Sequence, residues 1–379
     1  GMLRFLDHNI VATAEDLSGL MDRVLRSTGD LFGGPLMEFV ADSVRASTRE
    51  FKKQRRLQQG IFYDKYEEIY GKKWRKAVRQ NSVINPLDIY YSKKAHDILV
   101  EQKEKIKKSN ASERTQKDLI LHIDKQILRN QLELSQNQMY YIYNQFKDPA
   151  LRYLNGVDGD ASKTLDNTFS PDRGLKTMLL YEFDSKGNLI VDSNGEFKVS
   201  QQAVQGDAAN VLSKIEEALD DKVKEWADWQ VDVYYPSVYS RYNDVYKNIY
   251  RTAMPQNQYY AGRLFREAPE QAEPITVLPV DKNGAYNPIA PESTKARLGS
   301  DKGIHFADGD NAMVNYMRDM EYFAAYAETI RDIHKVFSDK AMKGAIAELH
   351  GENINDYINA AIKKIANKGS ELGDVKVKN

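Results

Sequence analysis

The sequence predicts a mainly α protein: an irregular multi-helix bundle with one small inserted β-ribbon and a long proline-rich loop. Apolar residues recur every three or four positions through most of the chain, which is the spacing of amphipathic helices. Strict alternation replaces this spacing between residues 178 and 200, and six of the 11 prolines fall between residues 254 and 303. Because 41% of the 379 residues are hydrophobic, the chain can bury a sizeable core.

The N-terminal region, residues 1–154, is predicted to be helical and contains the basic segment described below. Its first helix is expected to begin at Thr13 and to end before the Gly33-Gly34-Pro35 break. Further helices are predicted over residues 36–58, 62–70, 87–107, 119–132 and 135–146. Helices joined by such short polar breaks are typical of antiparallel or irregular bundles.

Residues 155–206 are predicted to form a loop and β-ribbon insertion. Three short apolar runs, beginning at Met178, Leu189 and Phe197, are separated by turns at Lys186-Gly187 and Asn194-Gly195. Apolar runs separated by such turn dipeptides indicate β-hairpins. A ribbon this small is not stable alone, so it is expected to lie against the helices.

The C-terminal region, residues 207–379, is predicted to return to helix over residues 207–227 and 238–252. The proline-rich loop follows at residues 254–303, and long irregular segments of this kind tend to be functional. Asp310 is then predicted to cap a long helix whose apolar stripe runs from Met313 to Phe337. Shorter helices are expected over residues 338–351 and 354–366.

Composition excludes several classes of protein. The absence of cysteine excludes disulfide scaffolds, thiolate metal sites and cysteine nucleophiles. The net charge of −1 excludes a surface that is basic throughout. No apolar run is long enough to predict a membrane span. The 23 tyrosines favour half-buried helix faces, with a ligand or partner surface as the alternative interpretation.

Motifs that carry chemistry are scarce. The sequence has no glycine-rich phosphate loop, no His-Glu-x-x-His and no Gly-x-Ser-x-Gly, and we predict no catalytic residue, metal or cofactor. His305, Asp308 and Asp310 could hold a cation, but a turn followed by a helix cap is the favoured interpretation. Asp158 and Asp160 suggest a calcium loop without its remaining ligands.

The one charge anomaly is the basic segment, residues 44–80, where 12 Lys/Arg face four Asp/Glu and the net charge is +8. A solvated face that pairs with an acidic neighbour is the favoured interpretation. Non-specific nucleic acid is the alternative, because cations interleaved with aromatic rings suit phosphates and unpaired bases. The candidate contact residues are Lys52, Lys53, Arg55, Arg56, Lys72, Lys73, Trp74, Arg75 and Lys76. Of these, Lys52, Lys53, Arg55, Arg56 and Trp74 are expected to be exposed.

An ordered series of weaker signals carries a resemblance to a known family. The series comprises Thr13-Ala-Glu-Asp-Leu, Leu134-Ser-Gln-Asn-Gln-Met-Tyr-Tyr, residues 238–255, Tyr259-Tyr-Ala-Gly-Arg, Ser293-Thr-Lys-Ala-Arg and residues 312–351 with Ile346-Ala-Glu-Leu-His-Gly. This order resembles a helical module of the large polyvalent proteins of tailed bacteriophages, a large polyvalent protein-associated domain. The resemblance implies a piece of a longer polypeptide, and it carries over no active-site residues.

The resemblance implies a non-enzymatic structural or interaction module located in the virion, the host cytoplasm or both. Its partners would be neighbouring modules of the parent polypeptide or other phage proteins. The rival hypothesis is a phage enzyme or nucleic-acid-binding module with a site near residues 254–310. That region contains Arg263, Arg266, Lys282, Lys295, Arg297, His305 and Asp308.

Overall fold

The computed structural model describes residues 35–148, 175, 177–256 and 308–351, with five further positions between 353 and 362. The described chain is mainly α with two small two-stranded antiparallel sheets, which confirms the predicted fold class. The helices are α1 (Pro35–Tyr70), α2 (Trp74–Asn81), α3 (Lys93–Lys108), α4 (Glu113–Asn130), α5 (Gln136–Gln145), α6 (Ala208–Ala218), α7 (Asp221–Trp229), α8 (Tyr235–Tyr250), α9 (Gly309–Ser338) and α10 (Lys340–His350). The strands are β1 (Asn85–Tyr90), β2 (Gln131–Leu134), β3 (Thr177–Tyr181) and β4 (Val199–Ala203). The helix predicted over residues 13–30 and nearly all of the proline-rich loop lie outside the described residues.

The two longest described helices, α1 and α9, pack along one another. At this contact Ser47 Oγ lies 2.7 Å from Thr329 Oγ1, and Thr48 Oγ1 lies 2.8 Å from the Tyr326 hydroxyl. The predicted break between residues 58 and 62 is wrong, because α1 runs through Gly60 without interruption. A glycine inside a helix lowers helix stability by about 1 kcal/mol. Burial of the continuous apolar stripe of α1 contributes more than this loss.

A short 3₁₀ turn, Gly71–Lys73, folds α2 back against the end of α1. Gly71 has a φ of +69°, a backbone conformation that favours glycine. The fold-back places the Trp74 ring on Tyr63 and Tyr66, with ring centroids 5.2 and 5.7 Å apart. The carboxyl end of α1 and the buried Trp74 of α2 therefore share one aromatic core.

The first sheet, β1 with β2, was not predicted. The predicted helix over residues 87–107 is wrong at its start, because residues 85–90 form β1 and the helix begins only at Lys93. In β2, Leu132 and Leu134 are buried and Glu133 is exposed, an alternation too short to be distinguished from a helical stripe.

The second sheet is the predicted β-ribbon, and its position is confirmed. β3 and β4 pair at five consecutive positions, from Thr177 with Ala203 to Tyr181 with Val199. The ribbon lies on α4, where the Gln126 side chain donates to Leu179 O at 3.0 Å and accepts from Leu179 N at 2.7 Å. Side-chain hydrogen bonds from a helix thus stabilise a ribbon that is too small to fold alone.

The segment between the ribbon and α8 is more broken than the sequence predicts. The single helix expected over residues 207–227 is wrong, because the chain leaves the helix at Leu219 and starts again after Asp220. Gln136 fixes this break, donating to Ala218 O and accepting from Asp220 N, both at 3.0 Å. A π-helical turn, Gln230–Tyr234, then connects α7 directly to α8.

Candidate functional site

The basic segment extends over most of α1, the 3₁₀ turn and α2. Arg45, Arg49 and Arg56 are exposed and recur four and seven residues apart, so they lie on one side of α1. The opposite side of the helix carries Val44 and Phe51, which are each 3% exposed and belong to the core. Folding therefore gathers the positive charges of α1 into a stripe.

The nine candidate contact residues divide into three groups. Lys53, Arg56, Lys72, Lys73, Arg75 and Lys76 are exposed, Lys52 is half-buried, and Arg55 and Trp74 are buried. The expectation of exposure is therefore wrong for Arg55 and Trp74. Arg55 follows Phe51 by four residues, which places it on the buried side of α1, and Trp74 stacks on two tyrosines.

The exposed cations of α2 and of the turn before it are not neutralised within the described part of the chain. Lys72, Lys73, Lys76 and Arg79 form no ion pair with a described acidic residue. The Arg75 guanidinium lies over the Trp74 ring, 4.9 Å from its centroid. By contrast, Lys65 of α1 lies within ion-pairing distance of Glu68 and Glu225. The solvated cations are the ones that a partner of opposite charge could reach.

A second candidate site is a buried acidic centre at the start of α9, formed by Asp310, Asn137, Tyr140 and Trp226. The prediction that Asp310 caps α9 is wrong, because Asp308 accepts the capping hydrogen bonds from Asp310 N at 3.0 Å and Asn311 N at 3.2 Å. The Asp310 side chain points inward and is only 4% exposed. The cap is thus two residues earlier than predicted, and the Asp310 side chain is free to enter the core.

Three donors hold the buried Asp310 carboxylate. Its Oδ1 accepts from the Tyr140 hydroxyl at 2.5 Å and from Trp226 Nε1 at 3.0 Å, and its Oδ2 accepts from Asn137 Nδ2 at 3.2 Å. Asn137 Nδ2 also donates to Asp308 Oδ2 at 3.1 Å. One carboxylate therefore ties α5 and α7 to the first turn of α9.

Burial and the neighbouring charge of Asp308 raise the pKa of Asp310 to about 6, although the hydrogen bonds from Tyr140 and Trp226 act in the opposite direction. Burial and the Asp310 charge in turn raise the pKa of the Tyr66 hydroxyl well above its usual range. Tyr66 belongs to α1 and stacks on Trp226, with ring centroids 4.0 Å apart. The centre thus contains a carboxyl group that changes its charge close to neutral pH.

Gly309 allows the centre to form. A Cβ at this position would lie 2.3 Å from a carbon of the Tyr140 ring, well inside any tolerable contact. Only glycine lets Tyr140 approach close enough to reach the adjacent Asp310. The Asp308-Gly309-Asp310 sequence is the one available signal, and spacing alone does not show which acid is buried.

A small cavity adjoins the acidic centre between α1, α2, α7 and α9. Its volume is about 50 Å³, and it is lined mainly by apolar and aromatic side chains, among them Phe62, Trp74, Met313 and Met317. A water molecule occupies about 30 Å³ in the liquid, whereas ligand pockets span about 300–1,000 Å³. The cavity is therefore a packing defect beside the centre and is too small for a substrate pocket.

A further buried acid, Glu321, lies in the middle of α9 and is fully buried. Its Oε1 accepts from the Tyr242 hydroxyl at 2.7 Å, and its Oε2 forms an ion pair with Arg241. Both partners belong to α8, so the paired charge fixes α8 against α9. A buried, paired charge of this kind has a structural interpretation.

Within the described residues no group of three His, Cys, Asp or Glu side chains is placed to hold a metal ion. Asp308 and Asp310 are engaged in the cap and the core, and His305, Asp158 and Asp160 lie outside the described residues. The basic residues of the rival enzyme hypothesis, Arg263, Arg266, Lys282, Lys295 and Arg297, also lie outside them. No helix among the described residues is both long and apolar enough to cross a membrane.

Comparison with protein families, curated proteins and solved structures finds no significant match to this chain. Two features of the described chain need an explanation: the exposed Lys72, Lys73, Lys76 and Arg79, which have no described ion-pair partner, and a carboxyl group buried among aromatic rings.

Proposed function

We propose that this chain is a non-enzymatic structural and interaction module of a large phage-encoded protein, and that it binds an acidic partner through the basic segment. The ordered sequence signals support the phage origin. The observation that carries the binding role is the set of exposed, solvated cations on α1 and α2 in a chain whose net charge is −1. The partner would be a neighbouring module of the parent polypeptide or another phage protein, in the virion or the host cytoplasm.

The packing beneath these cations supports a binding role. α2 is held on α1 by Trp74, and α1 is held on α7 by the contact between Tyr66 and Trp226. Charges presented by packed helices lose little backbone freedom when a partner binds. Such an arrangement favours fast, charge-steered association and a defined partner orientation.

Fluorescence anisotropy with a labelled polyglutamate peptide of about 20 residues tests the proposal at about 50 and 200 mM salt. The test variant reverses four exposed cations of the basic segment: Lys53→Glu, Arg56→Glu, Lys72→Glu and Lys76→Glu. A matched control reverses four exposed cations of α3 and α4 and changes the net charge equally: Lys94→Glu, Lys108→Glu, Lys125→Glu and Arg129→Glu.

We expect the native chain and the control to bind the peptide at the lower salt, and the test variant to lose at least about tenfold in affinity, since each removed contact contributes up to about 1 kcal/mol. Equal losses in the two variants would show that net charge alone attracts the peptide. No binding by the native chain at the lower salt would contradict the acidic-partner role.

Nucleic acid is the second candidate partner, and the stripe of arginines on α1 favours phosphate contacts. Binding of this kind is independent of sequence, and its affinity falls with salt at a log–log slope of about −0.9 per phosphate contact on duplex DNA. Because Trp74 is buried, no stacking preference for single strands is expected from this residue. Anisotropy with labelled duplex and single-stranded probes distinguishes this candidate. If the partner is an acidic protein, both nucleic acids should bind more weakly than the polyglutamate peptide does.

A further inference from the structure

The outer strand of the ribbon, β4, is exposed along its whole length. All five of its residues, Val199–Ala203, are exposed although they alternate between the two faces of the ribbon. β4 therefore projects from the protein and contacts little besides its neighbour β3. Its second edge is open along the described chain.

The ladder shows which backbone groups face this open edge. Glu182 N donates to Lys198 O at 3.0 Å, whereas Lys198 N donates to Ile190 O, so one bond of the Glu182–Lys198 pair is present and sets the phase of the β3–β4 ladder. Hydrogen-bonded and non-hydrogen-bonded pairs alternate along an antiparallel ladder. Ser200 and Gln202 consequently face β3, whereas Val199, Gln201 and Ala203 direct their N–H and C=O groups outward.

The opposite edge of the ribbon is covered at its centre, Leu179. On β3 the same alternation turns Leu179 away from β4, and both of its backbone groups are hydrogen-bonded by the Gln126 side chain of α4. Proteins commonly protect open edges with charged residues, proline or bulges. β4 has none of these, because it reads Val-Ser-Gln-Gln-Ala and pairs with β3 without a bulge.

We propose that β4 pairs antiparallel with β4 of a second copy of this chain, around a two-fold axis at Gln201. In this register the outward-facing residues oppose one another: Gln201 faces Gln201 of the second copy, and Val199 faces Ala203 of the second copy. Each of these pairs exchanges two backbone hydrogen bonds. The result is a continuous four-stranded sheet built from two ribbons.

The sequence around Gln201 is self-complementary, which identifies a second copy as the occupant. Apolar Val199 meets apolar Ala203, polar Ser200 meets Gln202, and Lys198 meets Val204, so no two like charges oppose one another. Because the two-fold pairing uses the β4 edge of both copies and Gln126 occupies Leu179 on the β3 edge, the pairing closes after two copies and does not continue into a fibre.

The interface is small. Pairing of five-residue strands buries less than the roughly 1,000 Å² that a stable complex needs, so the dimer should be weak and depend on concentration. The basic segment lies on α1 and α2 and does not take part, so this inference is independent of the proposed function.

Sedimentation velocity on the full chain, from about 10 to 500 µM, tests the pairing in the range where weak complexes form. Gln201→Lys and Gln201→Glu each place like charges opposite one another across the axis, which should weaken self-association by about fivefold. An equimolar mixture of the two variants places opposite charges there and should restore dimers. Gln201→Pro removes the central outward N–H and should abolish the dimer. Asn194→Lys, at the exposed tip of the ribbon, is the matched control and should dimerise as the native chain does.

Restored association in the mixture, together with slower amide exchange of Val199, Gln201 and Ala203 at high protein concentration, would establish the register. A native chain that stays monomeric over the whole range would overturn the proposal. Dimers that form equally well in all Gln201 variants would also overturn it, because they would have to form elsewhere.

Discussion

Replacing Asp310 with Asn tests the buried acidic centre through its pH dependence. Asn is neutral at every pH and keeps an oxygen that can accept from Tyr140 and Trp226. It cannot accept from Asn137 through its amide nitrogen, which costs a fixed amount at all pH values. Any change with pH in the stability difference between the native chain and this variant therefore reports the charge of Asp310.

The direction and size of this pH-dependent change in stability follow from the raised pKa of Asp310. Asp310 has a pKa of about 6 in the folded chain against 3.8 when unfolded, so the folded state binds this proton more tightly. The stability contributed by this proton is fully present below about pH 4 and is lost as pH rises through about 6. At about 1.36 kcal/mol for each pH unit, the loss amounts to about 3 kcal/mol.

Urea unfolding followed by tryptophan fluorescence measures this difference, because Trp226 donates directly to Asp310. The free energy of unfolding of Asp310→Asn, minus that of the native chain, should rise by about 2 kcal/mol between pH 4 and 7, which is most of the full change. Two more variants fix the cause. Asp308→Asn keeps a good cap but removes the neighbouring charge, so the stability difference should change at a lower pH. Tyr140→Phe removes a hydrogen bond to the carboxylate, so the change should occur at a higher pH. A stability difference that stays constant with pH would refute the assignment of this buried charge.

Three other substitutions test the packing by thermal denaturation. Gly309→Ala should lower the free energy of unfolding by about 1–3 kcal/mol, because its Cβ would meet the Tyr140 ring. Gly344→Ala, the control, places its Cβ in open space on α10 and should be neutral or stabilising. Equal effects of the two substitutions would contradict the close contact between Gly309 and Tyr140. Met320→Asp buries an unpaired carboxylate at a fully buried position and should cost several kcal/mol, on the order of the total stability, so an unchanged midpoint would contradict the packing of α9. Trp74→Ala should cost about 3–5 kcal/mol, whereas an exposed ring would leave the midpoint unchanged.

Periodicity predicts the helices and the ribbon because burial of one face dominates their stability. The stripe from Met313 to Phe337 is one helix in the structure, and the turns at Gly187 and Gly195 lie where the sequence places them, with φ values of +83° and +84°. The break predicted near Gly60 failed because a local propensity of about 1 kcal/mol is smaller than the gain from continuous packing along α9.

The rest of the candidate site depends on contacts between residues far apart in sequence. Asp310 meets Tyr140 and Trp226 across 170 and 84 positions, and no local pattern encodes these meetings. The burial of Arg55 could be predicted from its position four residues after Phe51, but the charge of Arg55 favours an exposed side chain. The burial of Trp74 depends on the fold-back at Gly71, which the sequence indicates only as a helix end.

A lysine-reactivity footprint tests the central claim, that the basic segment is the binding surface, most directly. The full chain is acetylated at low reagent concentration, with and without the labelled polyglutamate peptide, and the modified lysines are quantified by mass spectrometry. If the basic segment is the binding surface, bound peptide should protect Lys53, Lys72, Lys73 and Lys76, whereas the exposed Lys94 and Lys125 of α3 and α4 should keep their reactivity. Protection spread evenly over all exposed lysines, or confined to α3 and α4, would contradict it.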